Sequence, residues 1–189
     1  MEYRQEAPGE FEVIRAFLNT WSIPNDTRVP TDRLPAMLED RALWEAGFPA
    51  YARGKDDTLD RLRALREDLR VALQPGGDRT ERLNRWLAAA PARIGIETVG
   101  EDLTPYASAN QESGFVGRIM AIVTDALIRQ QWSRLKACED CQWVFYDWTR
   151  NQSKKWCGMT KGSPEGRACG TIAKVRRFRA RQNSDDSAF

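Results

Sequence analysis

The chain contains no histidine, and no cysteine before position 138. The first absence removes His-dependent catalytic triads, His-ligated zinc and the usual general base near neutral pH. Only carboxylates, Lys and Cys remain for chemistry, so a non-enzymatic protein with no catalytic residue is expected. No apolar run reaches the roughly 18 residues of a transmembrane helix, so no membrane association is expected. The opening MEYRQEAPGEFEV is polar and acidic, unlike a secretory signal peptide. A reducing cytoplasm is the expected compartment, where cysteines read as metal ligands or reactive thiols rather than disulfides. Internal repeats and low-complexity tracts are also absent.

What is present is an ordinary globular composition with an uneven charge. The 189 residues, 41% hydrophobic and 30% charged, suffice for one domain and a small appendage. The formal net charge of +2 hides a contrast: residues 138–182 carry +6 and the remainder carries −4. An acidic body bearing a basic module is the asymmetry expected when one part touches a polyanion.

The body reads as helical. Phe11, Ile14, Phe17, Leu18 and Trp21 recur at helical spacing, and Ile23-Pro24-Asn25-Asp26 is a turn composition. Thr31 or Asp32 is the expected N-cap of a second helix carrying Leu34, Met37, Leu38 and Trp44, with Pro35 tolerated in its first turn. Asp56 or Asp57 opens a third, striped by Leu59, Leu62, Leu65, Leu69 and Leu73 and ended by Pro75-Gly76-Gly77. A fourth runs from about Asp78 to Ala90. Arg93–Val99 alternates as a strand, with Asp102–Ala107 as its hairpin partner. A long fifth helix is expected from about Ser113 to Ala137, leading directly into Cys138.

All four cysteines, Cys138, Cys141, Cys157 and Cys169, fall within one short stretch. Cys138-Glu139-Asp140-Cys141 is a knuckle that can aim two thiolates at one ion, and four thiolates suit one tetrahedral zinc, or iron. Trp143–Tyr146 and Ser153–Trp156 read as strands turning at Arg150-Asn151-Gln152, which would carry Cys157 back to the knuckle. Cys169 stands at a helix start, a position that favours a thiolate. Knuckle, hairpin and helix-borne ligand follow the order of a treble-clef-like finger, and a core this small leans on its metal for folding energy. The expected fold is thus mainly α with a small β-hairpin: a helical domain at 1–137, a zinc finger at 138–182, and a disordered tail at 183–189.

The stretch CQWVFYDWTRNQSKKWC, followed by CG and AKVRRFRAR, resembles the CGNR-type zinc finger. The helical portion from FLNTW (Phe17–Trp21) looks like the ABATE domain that accompanies it. The resemblance implies a bacterial stress-response transcriptional regulator whose finger binds DNA and whose N-terminal domain senses a ligand. The sequence departs from the pattern in three places. The Glu139-Asp140 spacer is short, Thr171-Ile172 replace the signature Asn and Arg, and eleven residues separate Cys157 from Cys169.

On a helical wheel, Ile172, Val175 and Phe178 share one side and would pack on the ribbon through Trp143, Phe145 or Trp156. Lys174, Arg177 and Arg181 lie opposite, flanked by Arg176 and Arg179. With Arg150, Lys154 and Lys155 at the hairpin tip they form the expected DNA contact set. Asn19 and Arg66 are the candidate ligand-binding residues of the body, for an unidentified small-molecule effector. A homodimer would suit a DNA-binding regulator, although no heptad seam supports one. The alternative is a ligand-sensing or protein-interaction module whose zinc is purely structural.

Overall fold

A computed structural model of the chain describes residues 6–110, 113–158, 169–171 and 174–175. Helix α1 (Phe11–Leu18) buries Phe11, Ile14, Phe17 and Leu18 as its spacing predicts. It stops short of Trp21, because Trp21–Ser22 (β1) pair instead with Thr31–Asp32 (β2) across the Pro24 turn.

The expected second helix is two helices, α2 (Leu34–Glu39) and α3 (Arg41–Gly47). Asp40 divides them in an extended conformation, with its carboxylate accepting from the Ala42 and Leu43 N–H groups at 2.8 and 3.4 Å. Asp is a poor interior residue and a good cap, so the break falls there. Pro35 occupies the first turn of α2. The Asp32 carboxylate does accept the Leu34 N–H at 3.1 Å, but its main partners are Arg66 and Arg63 of the next helix.

Helix α4 (Leu59–Ala72) buries Leu62, Leu65 and Leu69 and is capped by Thr58 rather than by Asp56 or Asp57. Helix α5 (Arg79–Ala89) packs beside it, where Asp68 receives the Arg82 guanidinium and the Trp86 indole N–H. Strands β3 (Arg93–Val99) and β4 (Asp102–Ser108) form the expected hairpin, in register from Arg93↔Ser108 to Val99↔Asp102.

Helix α6 (Phe115–Ile128) runs through the core and buries residues on nearly every side. Asp57 caps it from a distance: its carboxylate accepts the N–H groups of Phe115 and Val116 at 2.6 and 3.2 Å, and of Gly54 at 2.6 Å. The close approach requires Gly114, since a Cβ there would lie 2.5 Å from the Asp57 carboxylate and 2.9 Å from the Gly54 backbone. Phe115 meets Phe17, Trp44 and Phe48 at ring-centroid distances of 4.8–5.2 Å, the aromatic centre of the core.

Helix α6 does not reach Cys138, contrary to the sequence reading. Gln130 takes a left-handed φ of 56°, which ends the helix, and a single 3-10 turn (Trp132–Arg134) precedes strand β5 (Leu135–Ala137). Strand β6 (Val144–Tyr146) pairs with β5, and Leu135, Val144 and Tyr146 join the main core. The described residues therefore combine seven helices, counting the 3-10 turn, and further helical residues at 169–171 and 174–175 with three antiparallel strand pairs, a mixed rather than mainly α fold. No helix among them is long and apolar enough to cross a membrane. The tail at 183–189 lies outside the described residues.

Candidate metal centre

The knuckle is the tip of the β5–β6 hairpin. Leu135, Lys136 and Ala137 pair with Tyr146, Phe145 and Val144, leaving 138–143 as the connection. Within it the Cys138 N–H donates to the Trp143 carbonyl at 2.9 Å and the Gln142 N–H to the Cys138 carbonyl at 3.0 Å. Gln142 takes a φ of 60°, which closes the turn with Cys138 and Cys141 both buried.

The ladder expected between Trp143–Tyr146 and Ser153–Trp156 does not form. The reason is Asp147, whose fully buried carboxylate accepts the Thr149 N–H and hydroxyl, the Lys154 N–H and the Lys136 ammonium. Residues 147–154 wrap around that one side chain instead of pairing as a strand. Burial pushes the Asp147 carboxyl up, but the hydrogen bonds from Thr149, Lys136 and Lys154 outweigh it and the net direction is down. Beyond the wrap, the Glu139 N–H donates to the Lys155 carbonyl, which brings Cys157 to the knuckle.

Cys157 Sγ lies 3.5 Å from Cys141 Sγ and 3.9 Å from Cys169 Sγ. All four sulfurs lie within 4.8 Å of one another, all four are buried, and none is disulfide-bonded. A Zn–S bond of about 2.3 Å implies sulfurs about 3.8 Å apart on a tetrahedron, so the cluster has the right size for one ion. Its electrostatics point the same way. Sulfurs this close cannot all ionise without repelling one another, so the neighbouring sulfurs push the Cys141 and Cys157 thiols up, and burial raises Cys169. A dication removes the conflict by stabilising all four thiolates together.

Residues 134–182 match the family model of the CGNR zinc finger. No curated protein matches the chain. The matched segment opens at Arg134 and contains β5, the knuckle, β6 and all four cysteines. Together with the four buried thiols it fits one zinc ion per chain. Zinc would be held by Cys138, Cys141, Cys157 and Cys169, and there it would supply folding energy and fix the cysteine-bearing segments relative to one another.

The body reaches this centre through residues that spacing does not reveal. The Arg70 guanidinium donates to the Gln142 carbonyl at 2.6 Å and to the Leu18 carbonyl at 2.9 Å, and stacks on Trp21. Burial lowers its pKa to about 10, which leaves it charged. Asn25 and Arg28, in the turn before β2, contact Cys169 and Asp140. Of the two, only Asn25 falls in the turn composition Ile23-Pro24-Asn25-Asp26 that the sequence shows, and nothing in the sequence singles out Arg28.

The two candidate ligand residues of the body are both buried and hydrogen-bonded. The Asn19 amide donates to the Val144 carbonyl and accepts the Val144 N–H, each at 2.8 Å, so α1 pairs with β6 as a strand residue would. Arg66 grips the Asp32 carboxylate at 2.6 and 2.9 Å and donates to the Thr20 hydroxyl at 2.8 Å.

Of the candidate DNA contacts, Arg150 is exposed in the turn after Asp147, and Lys174 is exposed beyond Cys169. Lys154 stands over the Phe145 ring at 4.9 Å, and Lys155 pairs with Glu139 at 3.2 Å. Arg176, Arg177, Arg179 and Arg181 lie outside the described residues, as do Ile172 and Phe178. Val175 does not anchor as expected and is 45% exposed. The helix start instead closes on Trp156 through Gly170, where a Cβ would already touch the indole at 3.4 Å.

Proposed function

We propose that the chain is a zinc-dependent, non-enzymatic DNA-binding regulator of the cytoplasm, in which the metal centre aims a basic C-terminal segment at DNA. The observation that carries this reading is the coincidence of the CGNR match with a buried four-cysteine centre whose last ligand begins that segment. The order of hairpin-borne knuckle, third cysteine and helix-borne fourth supports a treble-clef-like finger, and we read the body at 1–137 as ABATE-like from its resemblance alone. Of the proposed contacts, Arg150, Lys155 and Lys174 are exposed among the described residues, and a groove of about 910 Å³ lined by Arg79, Lys136, Lys154 and Lys155, together with Glu139, runs beside the hairpin. Each phosphate contact contributes a log–log salt slope of about −0.9, so five to seven contacts give roughly −4.5 to −6.3. A salt-titrated mobility shift on random duplex tests this. Binding that weakens along that slope and is lost in Lys174/Arg177/Arg181→Ala supports the reading; no binding at low salt, or binding indifferent to the triple change, ends it.

A second reading, an effector-sensing module with a structural zinc, is favoured by a different cleft. About 600 Å³ in volume, it has an apolar floor of Met37, Leu43 and Phe48, with Arg15 and Arg33 among its lining residues. Its wall includes Trp143, two residues beyond Cys141, so an occupant would touch the knuckle's hairpin. A small molecule that raises the thermal midpoint of a chain without DNA affinity would select this reading.

A further inference from the structure

The turn between β1 and β2 closes over the metal centre from the body side. The Asn25 amide nitrogen lies 3.5 Å from Cys169 Sγ, with its amide oxygen 3.7 Å away. Arg28 stands next to it and donates three hydrogen bonds. One Nη donates to the Asn25 amide oxygen and to the Asp140 carboxylate, both at 3.2 Å, and the other donates to the Asp140 carbonyl at 3.0 Å. Asp140 belongs to the knuckle, and its side chain is only 3% exposed. Arg28 adopts a left-handed φ of 56°, an uncommon conformation for a non-glycine residue, and its N–H donates back to the Pro24 carbonyl at 3.0 Å. The guanidinium thus engages the oxygen end of the amide and leaves the N–H end for the sulfur.

We propose that Asn25 and Arg28 are positioning residues of the metal centre, supplied by the body and not by the finger segment. Four thiolates around one dication leave two net negative charges in a buried site. An N–H donor on one sulfur and a guanidinium on the knuckle oppose that charge and hold the ligands in place. Metal retention is then a property of the whole chain. Residues 134–182 contain all four cysteine sulfurs but lack the Asn25 donor and the Arg28 clamp. The inference rests on the metal centre alone and is independent of DNA binding.

The test is zinc transfer from the full chain to a chelating dye, paired with the absorption spectrum of the cobalt-substituted protein. Asn25→Ala and Arg28→Ala are expected to speed transfer or weaken affinity roughly 10- to 100-fold. Arg28→Lys should behave like Arg28→Ala, because an ammonium cannot reproduce the forked contact. Ser22→Ala, whose hydroxyl meets that of Thr31 in the neighbouring β1–β2 pair, should leave transfer unchanged. Removing the N–H donor raises the energy of the sulfur electrons, so Asn25→Ala should move the sulfur-to-cobalt charge-transfer band to longer wavelength. Wild-type transfer in both Asn25→Ala and Arg28→Ala overturns the proposal. Faster transfer with an unmoved cobalt band overturns the Asn25–sulfur contact, since general loosening of the turn would give that result.

Discussion

Asn19→Ala is the substitution that most sharply separates a body merely adjacent to the metal hairpin from one bonded into it. Asn19 is 2% exposed and Val144 is fully buried, so water cannot replace the amide. The change removes two hydrogen bonds of 2.8 Å and strands the N–H and the C=O of one strand residue. A net bond contributes about 1 kcal/mol, and a stranded buried group costs about 1–3 kcal/mol, so the loss should be about 2–4 kcal/mol. For a chain of this size that is a fall in thermal midpoint of roughly 5–15 °C. Urea unfolding of the zinc-loaded protein measures it directly, and the slope with denaturant should stay constant. Asn19→Asp keeps the acceptor for the Val144 N–H but turns a carboxylate oxygen toward the Val144 carbonyl. It should be at least as damaging at neutral pH and recover in part as the carboxyl protonates. A loss under about 0.5 kcal/mol for Asn19→Ala would refute the reasoning, because it would mean that the pairing is not formed or is replaced by solvent.

Other consequences follow from single contacts. Arg66 holds the Asp32 carboxyl down at about 2, from an ordinary 3.8. A depressed carboxylate stabilises the fold above its unfolded value and loses that contribution as pH falls from about 5 to about 2. The urea midpoint should therefore drop across that window, and Asp32→Asn should flatten the drop while lowering stability at pH 7. An unchanged acid limb in the variant would count against the Asp32–Arg66 pairing. Gly114→Ala forces a Cβ into the Asp57 cap and should cost about 1–3 kcal/mol by urea unfolding, whereas the exposed, open Gly76 lacks such a neighbour. Cys157→Ser should leave the chain unable to retain metal through dialysis against a weak chelator and should lower its thermal midpoint, as loss of one ligand from a closed structural site does.

Much of this was legible in the chain, because amphipathic spacing is a local property. The stripes of α1 and α4, the Arg93–Asp102 hairpin and the four-cysteine cluster all follow from period and spacing. The departures share a cause: a polar side chain recruited over distance. Asp40 cut one helix into two, and Asp57 left α4 to cap α6 across 58 positions. Asp147 drew residues 147–154 around its carboxylate, so β6 paired with β5 rather than with Ser153–Trp156. No Gly or Pro stands between Ile128 and Leu135, and the left-handed Gln130 that ends α6 carries no sequence signal. Asn25, Arg28 and Arg70 could not be found from spacing, since their partners lie 72 to 144 positions away.

Four buried cysteines within residues 134–182 form a site sized for one zinc ion. Elemental analysis of the purified chain, combined with thiol titration before and after chelation, addresses it most directly. The expected result is about one zinc per chain and four thiols that react only once the metal is removed. Four reactive thiols without metal, or iron in place of zinc, would contradict it.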